Sequence, residues 1–298
     1  MSTTLLSSGS ASFAEIALGA GSYTRISLLE YASTFQKTMM QSGAAWRLAS
    51  GVNSIRRLKG PYIQDVPVVS LELSFEPEEE LLASMFKLLK ESRNERIKVR
   101  FQDPASKIDW AYPECYLQSF SFQVSENTIL AVNLSLFVRM DEVHYSRSKR
   151  TSIAGGENRL PLKRPIPYYA WKLESDFDLE EVRAFNFSFT QAVTPKYGTV
   201  GSAASAAPAF SHVLFGLPAI EFGVTQVMHG SYDIDFRTDR NGTQHNLDRK
   251  LAKNDVEVKV RGRTLFRLTG LAVQEEAPAF DAGIPSHNIK FSVHGTLA

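Results

Sequence analysis

Alternation between apolar and polar residues recurs along the chain. Residues 69–75 and 130–138 alternate in this way in the first half. Because successive side chains of a strand point to opposite faces, each run predicts a strand with one apolar and one polar face. The second half repeats the pattern in four apolar sets: Phe185, Phe187 and Phe189; Ile220, Phe222 and Val224; Val256, Val258 and Val260; Ile289, Phe291 and Val293. The pattern predicts half-buried antiparallel sheets, with more strands than one small sandwich needs. Two further strands are predicted over 232–238 and 265–273.

One segment has helical spacing instead. Pro77 and the glutamates at 78–80 precede a set of apolar residues one turn apart: Leu81, Leu82, Met85, Phe86, Leu88 and Leu89. Proline near the start and acidic residues in the first turn suit the exposed amides and dipole of a helix N-terminus. We therefore predict an amphipathic helix over 77–92. A strand over 97–101 and a hairpin that turns at Glu126 and Asn127 follow it.

The distribution of small, basic and proline residues divides the chain into four parts. Residues 1–45 are rich in Ser, Ala, Gly and Thr and predict an N-terminal arm, and residues 46–140 form a first β unit. The alternation stops over 141–170, where proline, glycine and basic residues predict a linker. Residues 171–298 form a second β unit, with a short helix expected at 244–252. Each half thus reads as strands, a helix and three strands, which indicates a duplicated architecture.

Composition narrows the class of protein. The chain has 298 residues, of which 43% are hydrophobic and 22% charged, with a formal net charge of +1. This length allows two cores, and the neutral balance disfavours nucleic acid as the main ligand, because such binding needs many cationic contacts. One cysteine allows no intrachain disulfide,. The sequence shows neither a signal peptide nor a membrane span, so we expect synthesis in the cytoplasm.

Residues that carry enzyme chemistry are few. No two of the six histidines have the spacing of zinc ligands on a helix, and no nucleophile elbow, phosphate loop or dinucleotide motif is present,. Cys115 precedes an alternating strand and is expected to pack as a small hydrophobic residue. We therefore expect a protein that is not an enzyme, with no cofactor and no metal site.

The order of these elements resembles the tail tube proteins of tailed bacteriophages and of related phage-derived tail devices. In the first half, the resemblance lies in a strand over 65–70, the helix, the strand over 97–101 and the strand pair 115–124 and 127–139. In the second half, residues 182–192, a flexible loop to Pro208 and the run 215–223 resemble the long hairpin of that family. The resemblance covers most of the chain after the arm.

The resemblance implies an all-β-dominated fold (β-rich α+β) of two tandem antiparallel β-barrel or sandwich domains, each with a flanking helix. It implies rings of three or six chains that stack into the hollow tail tube of a virion, a conduit for DNA or effectors. Its partners would be other copies of itself and other tail proteins, such as the tape measure, sheath or baseplate, and terminator. DNA would pass through the lumen without sequence readout, and no membrane anchor is expected. Synthesis would take place in the cytoplasm of a bacterial host.

Under this resemblance, the arm and the loop 194–211 become ordered on a neighbouring subunit or ring. The candidate contacts between subunits are then Pro195, Tyr197, Gly198, Pro208, Leu28, Tyr31 and Phe35. The chain departs from expectation in lacking an acidic strand face for the lumen, apart from Asp233, Asp235 and Glu257. Two alternatives remain open. One is a baseplate hub or distal tail protein, and the other is a soluble β-barrel that binds a ligand or acts as an enzyme.

Overall fold

The computed structural model describes most of the predicted strands. The described residues are 13–36, 39–40, 46–48, 55–57, 63–64, 68–103, 108–126, 130–139, 144–146, 166–176, 179, 181–199, 208–227, 255–281 and 284–298. The helix predicted at 244–252, the strand predicted at 232–238 and most of the predicted linker lie outside these residues. Whether the second half repeats the strand and helix order of the first stays a prediction.

The described part consists of twenty β-strands, one α-helix and a short 3-10 turn at Tyr168–Ala170. The first half contains β1 (Phe13–Leu18), β2 (Thr24–Gln36), β3 (Met39–Met40), β4 (Trp46–Leu48), β5 (Ile55–Arg57), β6 (Ile63–Gln64), β7 (Val68–Glu76), α1 (Glu79–Glu91), β8 (Ile97–Asp103), β9 (Ile108–Ser125), β10 (Ala131–Val138) and β11 (His144–Ser146). The second half contains β12 (Trp171–Ser175), β13 (Val182–Thr190), β14 (Val193–Thr199), β15 (Pro208–Phe215), β16 (Ala219–Val227), β17 (Val256–Val260), β18 (Arg263–Leu268), β19 (Leu271–Asp281) and β20 (Ile284–Val293).

Eleven strands form one antiparallel sheet that runs through both halves. Its order is β10-β7-β2-β1-β8-β9-β13-β16-β20-β19, with β11 and β10 also paired to β9. The other strands form the three-stranded sheet β12-β17-β18 and the pairs β14–β15, β3–β6 and β4–β5. The predicted all-β-dominated fold is confirmed. The prediction of two tandem barrels is not supported, because none of the sheets in the described residues closes into a barrel. Instead, β13 of the second half pairs directly with β9 of the first, so that one sheet continues across the boundary.

The N-terminal segment lies inside this sheet. β1 pairs with β2 and β8, and β2 pairs with β1 and β7. Residues 13–36 therefore belong to the sheet, where the sequence predicted an arm. The register of β2 shifts between Leu28 and Glu30. Such a bulge interrupts the alternation of side chains, which is the physical reason that the strand is hard to see in the sequence.

The predicted amphipathic helix is confirmed as α1. Its buried residues are the predicted ones: Leu81, Leu82, Met85, Phe86, Leu88 and Leu89. Glu79 and Glu80 lie in its first turn and Lys90 in its last, which matches the polarity of the helix dipole,. In the described part of the chain, no helix is long and apolar enough to cross a membrane.

The core joins the two halves through the ring of Phe86. This ring lies 4.3 Å from that of Phe266 on β18, 5.1 Å from that of Phe187 on β13 and 5.5 Å from that of Phe120 on β9, measured between centroids. One cluster of buried side chains contains residues of both halves, from Ala14 to Phe291. The helix is therefore enclosed between the large sheet and the three-stranded sheet. The domain boundaries stay a prediction, but both predicted units contribute to one core.

The strand predictions hold closely in the second half, with one exception. β17 has the predicted bounds, and β13, β16 and β20 overlap the predicted strands. The strand predicted over 265–273 is two strands, β18 and β19, which pair with different sheets. They are separated at Gly270, whose φ of +66° suits glycine and would strain other residues,.

We predict that Phe86→Ala lowers the free energy of unfolding by about 3–5 kcal/mol, because it removes a fully buried aromatic ring and leaves a cavity between two sheets,. The measurement is chemical denaturation, monitored by circular dichroism. Lys87→Ala, on the exposed side of the same helix, is the matched control and should change stability by no more than about 0.5 kcal/mol,. Equal effects of the two substitutions would contradict the packing described for α1.

Candidate functional site

The large sheet has a polar face on the side opposite the core. This polar face is formed by β9, β13, β16, β20 and β19, whose side chains line up in rungs across the strands. One rung is Gln123, Asn186, Gly223, Lys290 and Glu275. The rungs on either side are Ser121, Ser188, Glu221, Ser292 and Ala272, and Ser125, Ala184, Thr225, Asn288 and Ala277. Short hydroxyl and amide side chains thus cover a five-stranded surface.

The polar face is close to electrically neutral. In the three rungs the charged residues are Glu221, Lys290 and Glu275, and Glu221 and Lys290 form an ion pair at 3.0 Å. Of the acidic residues that the sequence offered for a lumen, Asp233 and Asp235 lie outside the described residues. Glu257 lies on the three-stranded sheet, where its carboxylate pairs with Lys259 at 3.4 Å. The polar face is therefore a neutral surface that forms hydrogen bonds, and not an acidic one.

The second feature is the hairpin β14–β15, whose base is clamped to the sheet. Tyr116, Phe137 and Val193 form a small buried cluster, against which Val213 and Phe215 pack. Backbone contacts reinforce it, since the Gly216 amide donates to the Ala192 carbonyl oxygen at 2.8 Å. These contacts fix the direction in which the hairpin leaves the sheet.

Gln191 also holds the base of the hairpin β14–β15 to the large sheet. Its side-chain Nε2 donates to the Leu117 carbonyl oxygen at 2.8 Å, and its backbone amide donates to the Gln118 carbonyl oxygen at 2.8 Å. The side chain is 6% exposed. Gln191 therefore ties the start of the hairpin to β9 through buried hydrogen bonds, which are costly to leave unmade.

A buried carboxylate lies beside this cluster. Glu114 accepts a hydrogen bond from the Tyr116 hydroxyl and from Arg139 at 3.0 Å, and Arg96 lies 3.7 Å away. Burial first, and then the hydrogen bond to Glu114, together raise the pKa of Tyr116 to about 12. The neutral phenol is thus the form that the base of the hairpin requires.

The outer side of the hairpin is exposed and partly apolar. Leu214 is 47% exposed, and Leu217, just after the hairpin, is 92% exposed. Thr194, Lys196 and His212 are exposed on the same element. The hairpin therefore combines a fixed base with an apolar surface that the described part of the chain leaves uncovered.

The structure places four of the predicted contact residues together in this hairpin. Pro195, Tyr197 and Gly198 lie on β14 and Pro208 on β15, with Tyr197 paired to Phe210. The described part of the predicted loop is thus all strand, and residues 200–207 lie outside the description. That these residues contact another subunit stays a prediction.

The other three predicted contact residues lie elsewhere. Leu28, Tyr31 and Phe35 are on β2, an interior strand, where they pair with Phe75, Leu73 and Val69 of β7. Sequence reasoning missed Glu114, Gln191, Leu214 and Leu217. A buried glutamate and an exposed leucine carry no local signal in a sequence, since both depend on contacts with distant strands.

The edge of the large sheet at β19 is unpaired within the described residues. The register of β19 shifts between Val273 and Glu275, and Pro278 removes one backbone donor from the strand. Bulges, prolines and charges are typical of edges protected from uncontrolled pairing with other chains. This edge is therefore a weaker candidate for assembly than the hairpin.

Features of an enzyme site are sparse in the described residues. These residues contain no group of three His, Cys, Asp or Glu side chains that could hold a metal ion. Cys115 is buried, as predicted, and burial raises the pKa of its thiol. A buried, protonated thiol is a poor nucleophile.

No protein-family model matches the chain, and no curated protein is significantly similar to it in sequence. Its function must therefore be inferred from the surfaces described above.

We predict that alkaline pH loosens the base of the hairpin through Tyr116. A folded-state pKa raised above the unfolded value of about 10 gives stability that is present below pH 10 and lost as pH rises towards 12,. The fall in Tm between pH 9 and 12 should accordingly be smaller in Tyr116→Phe than in the wild type. Tyr169→Phe, whose ring is 87% exposed, is the control and should follow the wild type. The same alkaline loss of Tm in Tyr116→Phe as in the wild type would contradict this role.

Proposed function

We propose that the chain is a structural protein whose copies assemble into stacked rings, which form the hollow tail tube of a phage or of a phage-tail-like particle. The observation that carries this proposal is the hairpin β14–β15, with its clamped base and its exposed apolar side. The side chains of Leu214, on this hairpin, and Leu217, just after it, are not covered by any other described residue. Exposed apolar surface of this kind marks sites of protein interaction.

The clamped base makes the hairpin suitable for assembly. Binding costs conformational entropy for each segment that becomes ordered, so an element already held by packing and hydrogen bonds loses less. The buried contacts of Gln191 and Tyr116 hold the base before any partner binds. A preformed projecting hairpin can therefore contact the next copy at low entropic cost.

The polar face supports the role of a conduit. In the proposed tube, this face lines the channel through which DNA or effectors pass. Strong binding to DNA needs cations that neutralise phosphates, but Lys290 is already paired with Glu221. A neutral lining of hydroxyl and amide groups would let a polyanion pass without holding it.

The order of elements gives independent support. The strand, helix, strand and strand pair of the resemblance occur as β7, α1, β8 and β9–β10, and the second half has β13, the hairpin and β16 in the order that the family suggests. Under this proposal the protein is not an enzyme and needs no cofactor. Its partners are its own copies, other tail proteins and DNA in transit, and it resides in the virion tail after synthesis in a bacterial host.

Negative-stain electron microscopy of the purified chain over a concentration series tests the proposal. Stacked hollow rings or tubes are the expected result, and the rotational symmetry of a ring shows whether it contains three or six chains. Isolated rings that never stack would favour a baseplate hub or distal tail protein instead. A monomer at every concentration would overturn the proposal.

We predict that Leu217→Glu prevents this assembly. The substitution places a charge on the exposed apolar surface beside the hairpin, and such a charge is costly to bury in an interface. Because Leu217 is exposed in the single chain, the free energy of unfolding should change by no more than about 0.5 kcal/mol,. Sedimentation velocity measures the assembly and thermal denaturation the stability.

Tyr169→Glu is the matched control, since it alters another highly exposed apolar residue on a different element. It should assemble as the wild type does. Unchanged assembly of Leu217→Glu would show that the surface beside the hairpin is not the interface.

A further inference from the structure

The polar face contains a depression with a volume of about 350 Å³. Its floor consists of the small residues Ala184, Gly223 and Ala277. Its rim carries the polar side chains of Gln123, Asn186, Thr225, Asn288, Lys290 and Glu275. The volume is at the lower end of the roughly 300–1,000 Å³ range of small-molecule sites.

Gly223 keeps the depression open. It lies in the interior of β16, where glycine weakens a strand and often marks the close approach of another group,. A Cβ atom at this position would clash with Oδ1 of Asn186, which reaches across from β13. A larger residue would therefore fill the space and displace the amide at its rim.

The rim offers hydrogen-bonding groups that the described chain does not use. The side-chain carboxamides of Gln123 and Asn186 are exposed at the rim and make no hydrogen bond with other described residues. Oδ1 of Asn288 accepts a hydrogen bond from the Thr225 hydroxyl at 2.8 Å, which leaves its NH₂ group for a ligand. A carboxamide presents a donor and an acceptor side by side, and a hydroxyl group is both donor and acceptor. The rim is thus complementary to a ligand with several neighbouring hydroxyl groups.

The charges on the rim disfavour other ligand classes. Lys290 is paired with Glu221 at 3.0 Å, and Glu275 lies opposite Lys290 in the same rung. The positive charge is therefore already neutralised, and an anion would gain little binding free energy at this site. An apolar ligand would leave the amides without partners, which costs free energy. The chemistry of the rim therefore favours a neutral polar ligand.

We propose that this depression binds one ring of a neutral sugar of hexose size. At about 30 Å³ for each water-sized group, the volume holds about a dozen non-hydrogen atoms,, which is the size of a hexose. The site is formed within a single chain, so it does not depend on assembly into rings.

Saturation-transfer NMR of the full chain with D-glucose, D-galactose, D-mannose and N-acetyl-D-glucosamine tests this proposal. At least one of these sugars should bind with a Kd in the low millimolar range, the order that a ligand of about a dozen atoms reaches. The trisaccharide of the sugar that binds is then measured in the same way. If it binds with the same Kd as the single sugar, the natural ligand is a free sugar, and if it binds more tightly, the natural ligand is a glycan. No saturation transfer from any of the four at about 50 mM, well above the Kd expected from ligand size, would overturn the proposal.

Gly223→Val locates the binding. It should weaken the binding about tenfold or more, the effect of losing one or two hydrogen bonds, while valine suits a strand and should preserve Tm. Asn186→Ala should weaken binding without adding bulk. Ser188→Val, on the same strand and face but outside the depression, is the control and should bind as the wild type does. Binding that survives both Gly223→Val and Asn186→Ala would also overturn the assignment.

Discussion

The packing of Phe86 between two sheets is the interaction on which the rest of the structure depends. Its ring stacks on Phe266 of the three-stranded sheet and meets Phe187 and Phe120 of the large sheet edge-on. Aromatic pairs in these geometries stabilise a core beyond the burial of their area. Because the helix that carries Phe86 belongs to the first half and two of its partners to the second, this one side chain couples the halves.

The long strand β9 extends this coupling to the surface. Its first part pairs with β8 and β11, and its second part lies between β10 and β13. Along the second part, Phe120 and Phe122 point into the core, while Ser121 and Gln123 belong to the polar face. Tyr116 and Leu117, nearer its centre, hold the base of the hairpin. The core, the polar face and the hairpin are thus three consequences of how one strand is placed.

Much of the fold could be predicted from local pattern. The alternation of Phe185, Phe187 and Phe189 predicted β13, and the spacing of the apolar residues around Phe86 predicted α1. The remaining features depend on contacts distant in sequence. Nothing near Phe187 indicates that it pairs with Phe122, and that pairing joins the two halves in one continuous sheet. The bulge at Leu28 concealed β2 in the same way.

The candidate site was predictable only in outline. A flexible connection was expected where the hairpin lies, and proline and glycine there suggested a loop. The hairpin forms because its base packs on Tyr116 and Phe137, which belong to strands of the first half. The polar face is visible in sequence as the polar half of each alternation. Its neutrality depends on the ion pair between Glu221 and Lys290, which lie on strands far apart in the chain.

Native-state hydrogen exchange in increasing denaturant tests most directly whether the two halves form one structure around Phe86. The slowest amides of β7, in the first half, and of β20, in the second, should exchange with the same free energy of opening and the same dependence on denaturant. Two separate values, one for each half, would show that the halves unfold independently and would contradict the shared core.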